Sequence, residues 1–268
     1  MNGFDELIAG VGDILGIEGL APDAEGVCTL ESDETEIRVI HCPEADDMLL
    51  LTATVMPAPP DGGRMFLAAL DANHRFKGTR GATVSLDGES DELVLSRYLP
   101  VGILSPRSLL DAVEAFSSAL MSLRAVEAGV GTPPSAVSDE ADVGDGVAET
   151  IEVDGVVVEV SQGDDGVIVA LSDLGEAPDD SAFVRELLVA NHLFEGTSGA
   201  TLSLEAASNR VFLQQKIYPE EDDNEDWLPR RLAVFVDKAS EWKARLHGSA
   251  ETEGDSSQPL QMSGFIQV

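Results

Sequence analysis

The sequence is poor in basic residues and in aromatic residues. It contains 16 Lys+Arg against 50 Asp+Glu, which gives a formal net charge of −34, and Phe, Trp and Tyr make up only 5% of the chain. Proteins bind nucleic acids largely by neutralising phosphates with Lys and Arg, and anionic membrane surfaces attract the same side chains. The charge balance therefore argues against nucleic-acid and membrane partners.

Cysteine is also scarce, and long apolar runs are missing. Cys28 and Cys42 are the only cysteines among 268 residues, too few for a disulfide framework. The N-terminus shows no secretory signal, and no apolar run approaches the roughly 20 residues of a membrane-spanning helix. Since 43% of the residues are hydrophobic, the chain has enough for a core. We expect an acidic cytoplasmic protein.

A repeat organises the sequence. Residues 73–87 (NHRFKGTRGATVSLD) match residues 191–205 (NHLFEGTSGATLSLE) at 10 of 15 positions, with a constant offset of 118. Chance does not produce identity at that density, so the chain is a tandem duplication. The predicted organisation is a first unit over 1–128, a flexible linker over 129–146, a second unit over 147–248, and a polar tail with an apolar tip over 249–268.

Each copy shows the same order of predicted elements. Runs rich in β-branched and aliphatic residues, such as 49–55 and 167–171, predict buried strands. A helix follows and is expected to stop at a left-handed Gly78 or Gly196. The alternation over 82–87 then predicts a strand of a hairpin with one polar, exposed face. Apolar residues at helical spacing predict a last helix, which in the first copy starts at Ser105–Pro106.

The copies differ at their front ends. Apolar residues from Phe4 to Leu15 predict an amphipathic helix before the first copy, whereas the matching place before the second falls in the linker. The predicted fold class is therefore α+β. It consists of two tandem units of order α-β-β-β-α-β-β-α, the second without its first helix.

The duplicated block resembles the class I type III secretion chaperones, the family typified by the chaperones of Tir. The shared pattern is a helix, then Ala-Asn-His-x-aromatic-x-Gly-Thr-x-Gly-Ala-Thr-x-Ser-Leu, a hairpin and an amphipathic helix. The resemblance implies a small cytosolic protein that dimerises through its second helix. It also implies that the fused pair is an intramolecular pseudo-dimer, a monomer that acts as two halves, and it implies no catalytic residue.

The resemblance suggests two sets of site residues. Apolar side chains of the first and last helices of copy one would bind the client: Leu7, Ile8, Val11, Ile14, Leu15, Val113, Phe116 and Leu120. Side chains of the two second helices would form the pseudo-dimer interface: Phe66, Leu67, Leu70, Val184, Leu187 and Leu188.

Three other groups of residues are candidate chemical sites. The repeated pair Asn73–His74 has no recurring nucleophile beside it, so packing and local hydrogen bonding is the favoured interpretation. Cys28, His41 and Cys42 do not make four zinc ligands at tight spacing. The acidic run 220–226 lacks the glycine and the distal Glu of a calcium loop. We therefore predict no enzyme activity, no metal and no cofactor.

The functional hypothesis is a chaperone that binds a segment of a secreted effector protein and keeps it export-competent without ATP. The alternative is an interaction or regulatory module of the same fold with no export role. The acidity fits either a basic client or adaptation to salt. The tail is either a frayed end or a segment that docks on apolar surface left bare by the missing helix.

Overall fold

The computed structural model describes residues 3–32, 35–45, 47–127, 148–163, 166–219 and 227–254. In these ranges the chain forms two α+β units, each built on one five-stranded antiparallel sheet. The units coincide with the two repeats of the sequence. None of the helices described is both long enough and apolar enough to span a bilayer.

The first unit has the predicted order α-β-β-β-α-β-β-α. Its elements are α1 (Gly3–Leu15), β1 (Val27–Ser32), β2 (Thr35–Cys42), β3 (Met48–Pro57), α2 (Gly63–Asn73), β4 (Thr83–Asp87), β5 (Glu92–Pro100) and α3 (Pro106–Glu127). The strands lie in the order β1-β2-β3-β5-β4. The hairpin is therefore inserted with β5 against β3, which leaves β4 at one edge of the sheet.

The second unit repeats this topology from its first strand onward. Its elements are β6 (Glu149–Val153), β7 (Val156–Gln162), β8 (Ile168–Glu176), α4 (Ser181–Ala190), β9 (Thr201–Glu205), β10 (Arg210–Ile217) and α5 (Trp227–Gly254). The strand order is β6-β7-β8-β10-β9. The place where a first helix would precede β6 lies outside the described residues, which resume at residue 148. The predicted linker 129–146 and the acidic run 220–226 lie outside the described residues.

The last helix is longer than the sequence suggested. Helix α5 runs to Gly254, past residue 248, where the second unit was predicted to end. The apolar tip of the predicted tail lies outside the described residues, so its docking stays a prediction.

Local sequence signals set the starts of two helices. Asp180 precedes α4, and its carboxylate accepts a hydrogen bond of 2.8 Å from the backbone N–H of Ala182. Ser105 precedes α3, and its hydroxyl accepts one of 3.1 Å from the backbone N–H of Ser108. Pro106 then occupies the first helical position, where its missing N–H costs nothing. The start of α3 is as predicted.

The predicted helix stops at Gly78 and Gly196 are wrong. Helix α2 ends at Asn73, and the positive φ angles fall on Arg75, Phe76, Arg80 and Gly81. Helix α4 likewise ends at Ala190. Gly196 is needed for close packing instead, because a Cβ there would lie 2.8 Å from the Cβ of Ala190. A tight double turn therefore connects helix to strand in each unit.

The first unit buries its helices on one face of its sheet. Helix α1 packs against α3, and α3 packs against β3. Phe4 and Ile8 on α1 are each 1% exposed, and Phe116 on α3 is fully buried. Burial of this aliphatic and aromatic surface stabilises the unit, since each such side chain contributes about 1.5–3 kcal/mol.

Strands β4 and β9 are buried on both faces, although the sequence predicted one exposed face. Thr83 and Ser85 on β4 are 2% and 0% exposed, and Thr201 and Ser203 on β9 are 1% and 0% exposed. The alternation was identified correctly, but the polar face is covered by the other half of the chain.

Candidate functional site

The two halves contact each other through their second helices and their hairpin edge strands. Helix α2 packs against β9 and α4, and α4 packs against β4. The hydroxyl oxygens of Thr83 and Thr201, which occupy equivalent positions of the repeat, lie 2.6 Å apart. Equivalent residues meet in this way when two copies face each other about an approximate twofold axis. The chain is thus an intramolecular pseudo-dimer.

The conserved spacing of the repeat is explained by an asparagine that covers a strand edge. Asn73 Nδ2 donates to the carbonyl of Val84 at 2.9 Å, and its Oδ1 accepts from the Val84 N–H at 2.7 Å. Asn191 makes the same two bonds to Leu202, at 2.8 Å and 2.7 Å. Each asparagine therefore satisfies the outward backbone groups of an edge strand, which would otherwise be buried without partners.

A threonine closes the loop that follows. The hydroxyl of Thr79 donates to the carbonyl of Ala82 at 2.5 Å, and Thr197 does the same to Ala200. Both threonines are buried. The motif Asn-His-x-Phe-x-Gly-Thr-x-Gly-Ala-Thr is therefore a structural device that joins helix, double turn and strand. The identity of this motif between the two copies therefore reflects its structural role. Packing and local hydrogen bonding is also the interpretation that the sequence favours for Asn73–His74.

Asn73 also connects the two halves. Its Nδ2 lies 3.5 Å from the carbonyl oxygen of Leu202 in the second unit. The side chain of Gln214 bonds the backbone on both sides of His74, accepting from the N–H of Arg75 at 2.7 Å and donating to the carbonyl of Asn73. Gln214 is fully buried, so these bonds form in a place from which water is excluded.

Among the described residues, an arginine of each unit forms an ion pair with a carboxylate of the other unit. Arg75 holds Glu159 with two bonds, 2.8 Å and 3.0 Å long, and these bonds lower the pKa of the Glu159 carboxyl. Arg185 bonds Asp91 at 2.8 Å. The position equivalent to Arg75 is Leu193, so the Arg75–Glu159 pair has no counterpart across the pseudo-twofold axis. Sequence comparison of the copies marks such positions as places where they diverged.

The two histidines of the motif also face the opposite half. His74 Nε2 lies 3.7 Å from Glu205 Oε1, and His192 Nε2 lies 4.0 Å from Asp87 Oδ1. The ring of His74 packs against that of Phe212, with centroids 4.7 Å apart. Burial lowers the pKa of His74, and Glu205 opposes that effect. The imidazole of His74 therefore packs between the two halves.

The predicted interface residues lie on α2 and α4, two helices that contact each other across the halves. Five of the six are buried, and they are Phe66, Leu70, Val184, Leu187 and Leu188. Leu67 is 41% exposed on the outer side of α2. Sequence reasoning missed the edge strands and the polar bonds of Gln214 and Arg75, since neither shows in the spacing of apolar residues.

Most of the predicted client-binding residues are buried within the first unit itself. The packing of α1 against α3 covers six of them, namely Leu7, Ile8, Val11, Val113, Phe116 and Leu120. Ile14 and Leu15, at the end of α1, are 47% and 45% exposed, and Ile17 beyond the helix is 46% exposed. The end of α1 is therefore accessible without any rearrangement, whereas its apolar face is not.

The cysteines and nearby histidine take part in packing. Cys28 is buried, and burial raises the pKa of the Cys28 and Cys42 thiols. His41 stacks on Phe4 and bonds Asp47 at 2.7 Å. Among the residues that the structure describes, no group of three or more His, Cys, Asp or Glu side chains is placed to hold a metal ion.

Comparison with known families agrees with the duplicated architecture. The profile of the Tir chaperone protein (CesT) family matches the chain twice, over residues 6–124 and 145–243. The chain belongs to this family. The two matches coincide with the two units, so this member carries two family domains in one polypeptide, placed face to face. A search of curated proteins found no significant match.

Solved structures with similar folds cover about one unit of the chain. A chain of the HopA1–SchA chaperone–effector complex is 20% identical with a TM-score of 0.40, and the match covers 46% of this chain and 93% of that one. A chain of the ExsC–ExsE complex is 20% identical with a TM-score of 0.37, and the match covers 43% of this chain and 86% of that one. A chain from the structure of the Yersinia pestis type III secretion chaperone SycH in complex with a stable fragment of YscM2 is 16% identical with a TM-score of 0.38. That match covers 45% of this chain and 98% of that one.

Proposed function

We propose that this CesT-family protein is a cytoplasmic type III secretion chaperone that binds a segment of a secreted effector and keeps it export-competent without ATP. The observation that supports this most is the double family match together with the close contact between the halves. The chain supplies by itself the paired arrangement that separate subunits would otherwise have to form. It would therefore act as a monomer, without a catalytic residue or a cofactor.

The exposed end of α1 is the proposed first contact for the client. Ile14, Leu15 and Ile17 present adjoining apolar side chains, each nearly half exposed, on a chain whose net charge is −34. An apolar anchor with an acidic surround suits a client segment that carries apolar residues flanked by basic ones. The buried residues Leu7, Ile8, Val11, Val113, Phe116 and Leu120 would contact the client only if it displaced part of α1.

Affinity purification of the tagged chain from its own cells tests the proposal. The expected result is a bound protein that is also found in the culture supernatant and disappears from it when the chaperone gene is deleted. Secretion of every bound protein without this chain would contradict the export role and favour a regulatory module of the same fold. Addition of ATP or its removal by apyrase should leave the amount of bound client unchanged.

A pair of charge substitutions locates the contact. The double variant Ile14→Asp, Leu15→Asp should lose client binding, because a desolvated carboxylate beside an apolar client is costly. Val157→Asp is the matched control, since Val157 on β7 of the second unit is 55% exposed and equally apolar. Unchanged binding by the α1 double variant would refute the proposed contact while leaving the chaperone function open to test.

A further inference from the structure

The described part of the second unit leaves partly exposed a helix face that is covered in the first. At an offset of 119, which allows for one inserted residue, Leu228 and Leu232 on α5 correspond to Leu109 and Val113 on α3. Leu109 is 1% exposed and Val113 is 9% exposed, in the unit where α1 packs against α3. Leu228 and Leu232 are only partly buried. The described residues of the second unit therefore cover this face incompletely.

The strand beside that helix face differs in the same way. Phe4 of α1 stacks on His41 of β2 with ring centroids 5.0 Å apart, and Val39, on the same face of the strand, is 0% exposed. The strand pairings, followed from the equivalent hairpins, match Val39 with Val160 on β7 and His41 with Gln162. Val160 is partly buried and Gln162 is exposed. Because α5 packs against β7, the helix face and the strand form one surface.

The surface formed by Val160, Leu228 and Leu232 is termed the α1-equivalent surface. We propose that the apolar tip of the chain, residues 262–268, docks on the α1-equivalent surface and takes the place that α1 has in the first unit. Residues 256–268 carry no charged side chain, although charged residues make up 25% of the whole chain. Packing such a segment on apolar side chains buries apolar area without desolvating a charge. The chain between the two units, residues 129–146, contains four acidic residues and is less suited to this place.

The length of the chain beyond α5 permits this contact and limits which residues make it. Helix α5 ends at Gly254. With a rise of about 1.5 Å per residue, that end lies about 33 Å from Leu232. An extended chain covers about 3.3 Å per residue, so Ile266 reaches about 40 Å beyond Gly254, whereas Leu260 reaches only about 20 Å. Docking therefore requires the segment to run back along α5, with Phe265 and Ile266 at the surface and Leu260 short of it.

Thermal unfolding of the full-length chain tests the docking. Ile266→Asp should lower Tm by about 2–4 °C, because the contact loses apolar burial and gains a desolvated carboxylate. Leu260→Asp is the matched control, since it places the same charge in the same segment but too far from Leu232, and it should leave Tm unchanged. An unchanged Tm for Ile266→Asp would overturn the proposal, and so would an equal loss for Leu260→Asp.

A double-variant cycle tests which surface the segment contacts. Leu232→Ser truncates the α1-equivalent surface and should lower Tm by itself, since Leu232 also packs against the core. In that background Ile266→Asp should lower Tm less than it does alone, because the contact is already weakened. Val234→Ser is the control background, since Val234 on α5 is 50% exposed, and there Ile266→Asp should keep its full effect. Equal losses in the two backgrounds would refute the assigned surface.

A spin label distinguishes docking within one chain from docking between copies. The label is attached at Gln267→Cys, with Cys42→Ser removing the partly exposed native thiol. It should broaden the amide NMR signals around Leu232 in the chain that carries it, and it should not do so in an unlabelled chain mixed with it. Broadening only in the mixture would assign the surface to a second copy, and broadening only at the exposed end of α1 would place the tip on the proposed client contact. Either result would overturn the docking, whereas the chaperone proposal rests on the first unit and is unaffected.

Discussion

Replacing Asn73 by alanine tests the view that the repeated motif serves to cover a strand edge. The substitution removes both partners of Val84, whose N–H and C=O lie 2.7 Å and 2.9 Å from the Asn73 side chain. Asn73 is fully buried, so water does not replace the amide without opening the structure. Each buried backbone group left without a partner costs about 1–3 kcal/mol. The free energy of unfolding should therefore fall by about 2–6 kcal/mol.

Urea unfolding followed by far-ultraviolet circular dichroism measures this loss. Asn191→Ala removes the equivalent two bonds to Leu202 and should cost a similar amount, with Asn73→Ala the larger because Asn73 also approaches the Leu202 carbonyl from across the interface. Thr54→Ala is the control, since it removes an exposed hydrogen bond to Glu92 and should change stability by less than about 0.5 kcal/mol. A loss below about 1 kcal/mol for Asn73→Ala would refute the edge-covering role.

Three further predictions concern the interface and the motif. Arg75→Leu, which installs the residue found at the equivalent position 193, should lower stability by about 1 kcal/mol or less, because the pair with Glu159 is one-third exposed, and high salt should abolish the difference in urea midpoint. Burial favours the neutral form of His74, so its contribution to stability should be complete above about pH 6.5 and decline as the pH falls below that value. His74→Gln should flatten this decline, and an unchanged pH profile would contradict it. Gly196→Ala should destabilise by about 1–3 kcal/mol through its clash with Ala190, visible as an altered Trp242 fluorescence because the indole N–H bonds the Gly196 carbonyl at 3.2 Å.

Elements with a strong local signal were predictable. The starts of α3 and α4 follow from Ser105–Pro106 and Asp180, because a capping side chain and a proline act on the backbone within a few residues. The stops at Gly78 and Gly196 were not predictable from glycine alone, since here the left-handed positions are taken by Arg75 and its neighbours in a double turn. That turn is held by buried Thr79, whose hydroxyl bonds the carbonyl of Ala82 just before β4.

The candidate surfaces were likewise only partly predictable from the sequence. Apolar spacing identified α1 as amphipathic, but it did not reveal that α3 of the same unit covers its apolar face and leaves Ile14 and Leu15 exposed. Spacing alone does not say whether an apolar stripe faces its own unit, the other unit or a client. Only the packed positions of neighbouring elements answer that question.

The duplication, the order of elements in each copy and the acidity of the surface follow from the sequence, because identity, periodicity and charge are properties of the chain read in order. Which groups meet across the approximate twofold axis follows only from the folded arrangement of the two units. Thr83 and Thr201, or Arg97 and Lys216, are more than a hundred residues apart and become neighbours only when the two sheets present their edges to each other. Such contacts depend on the relative placement of two folded units, which no local pattern of residues encodes.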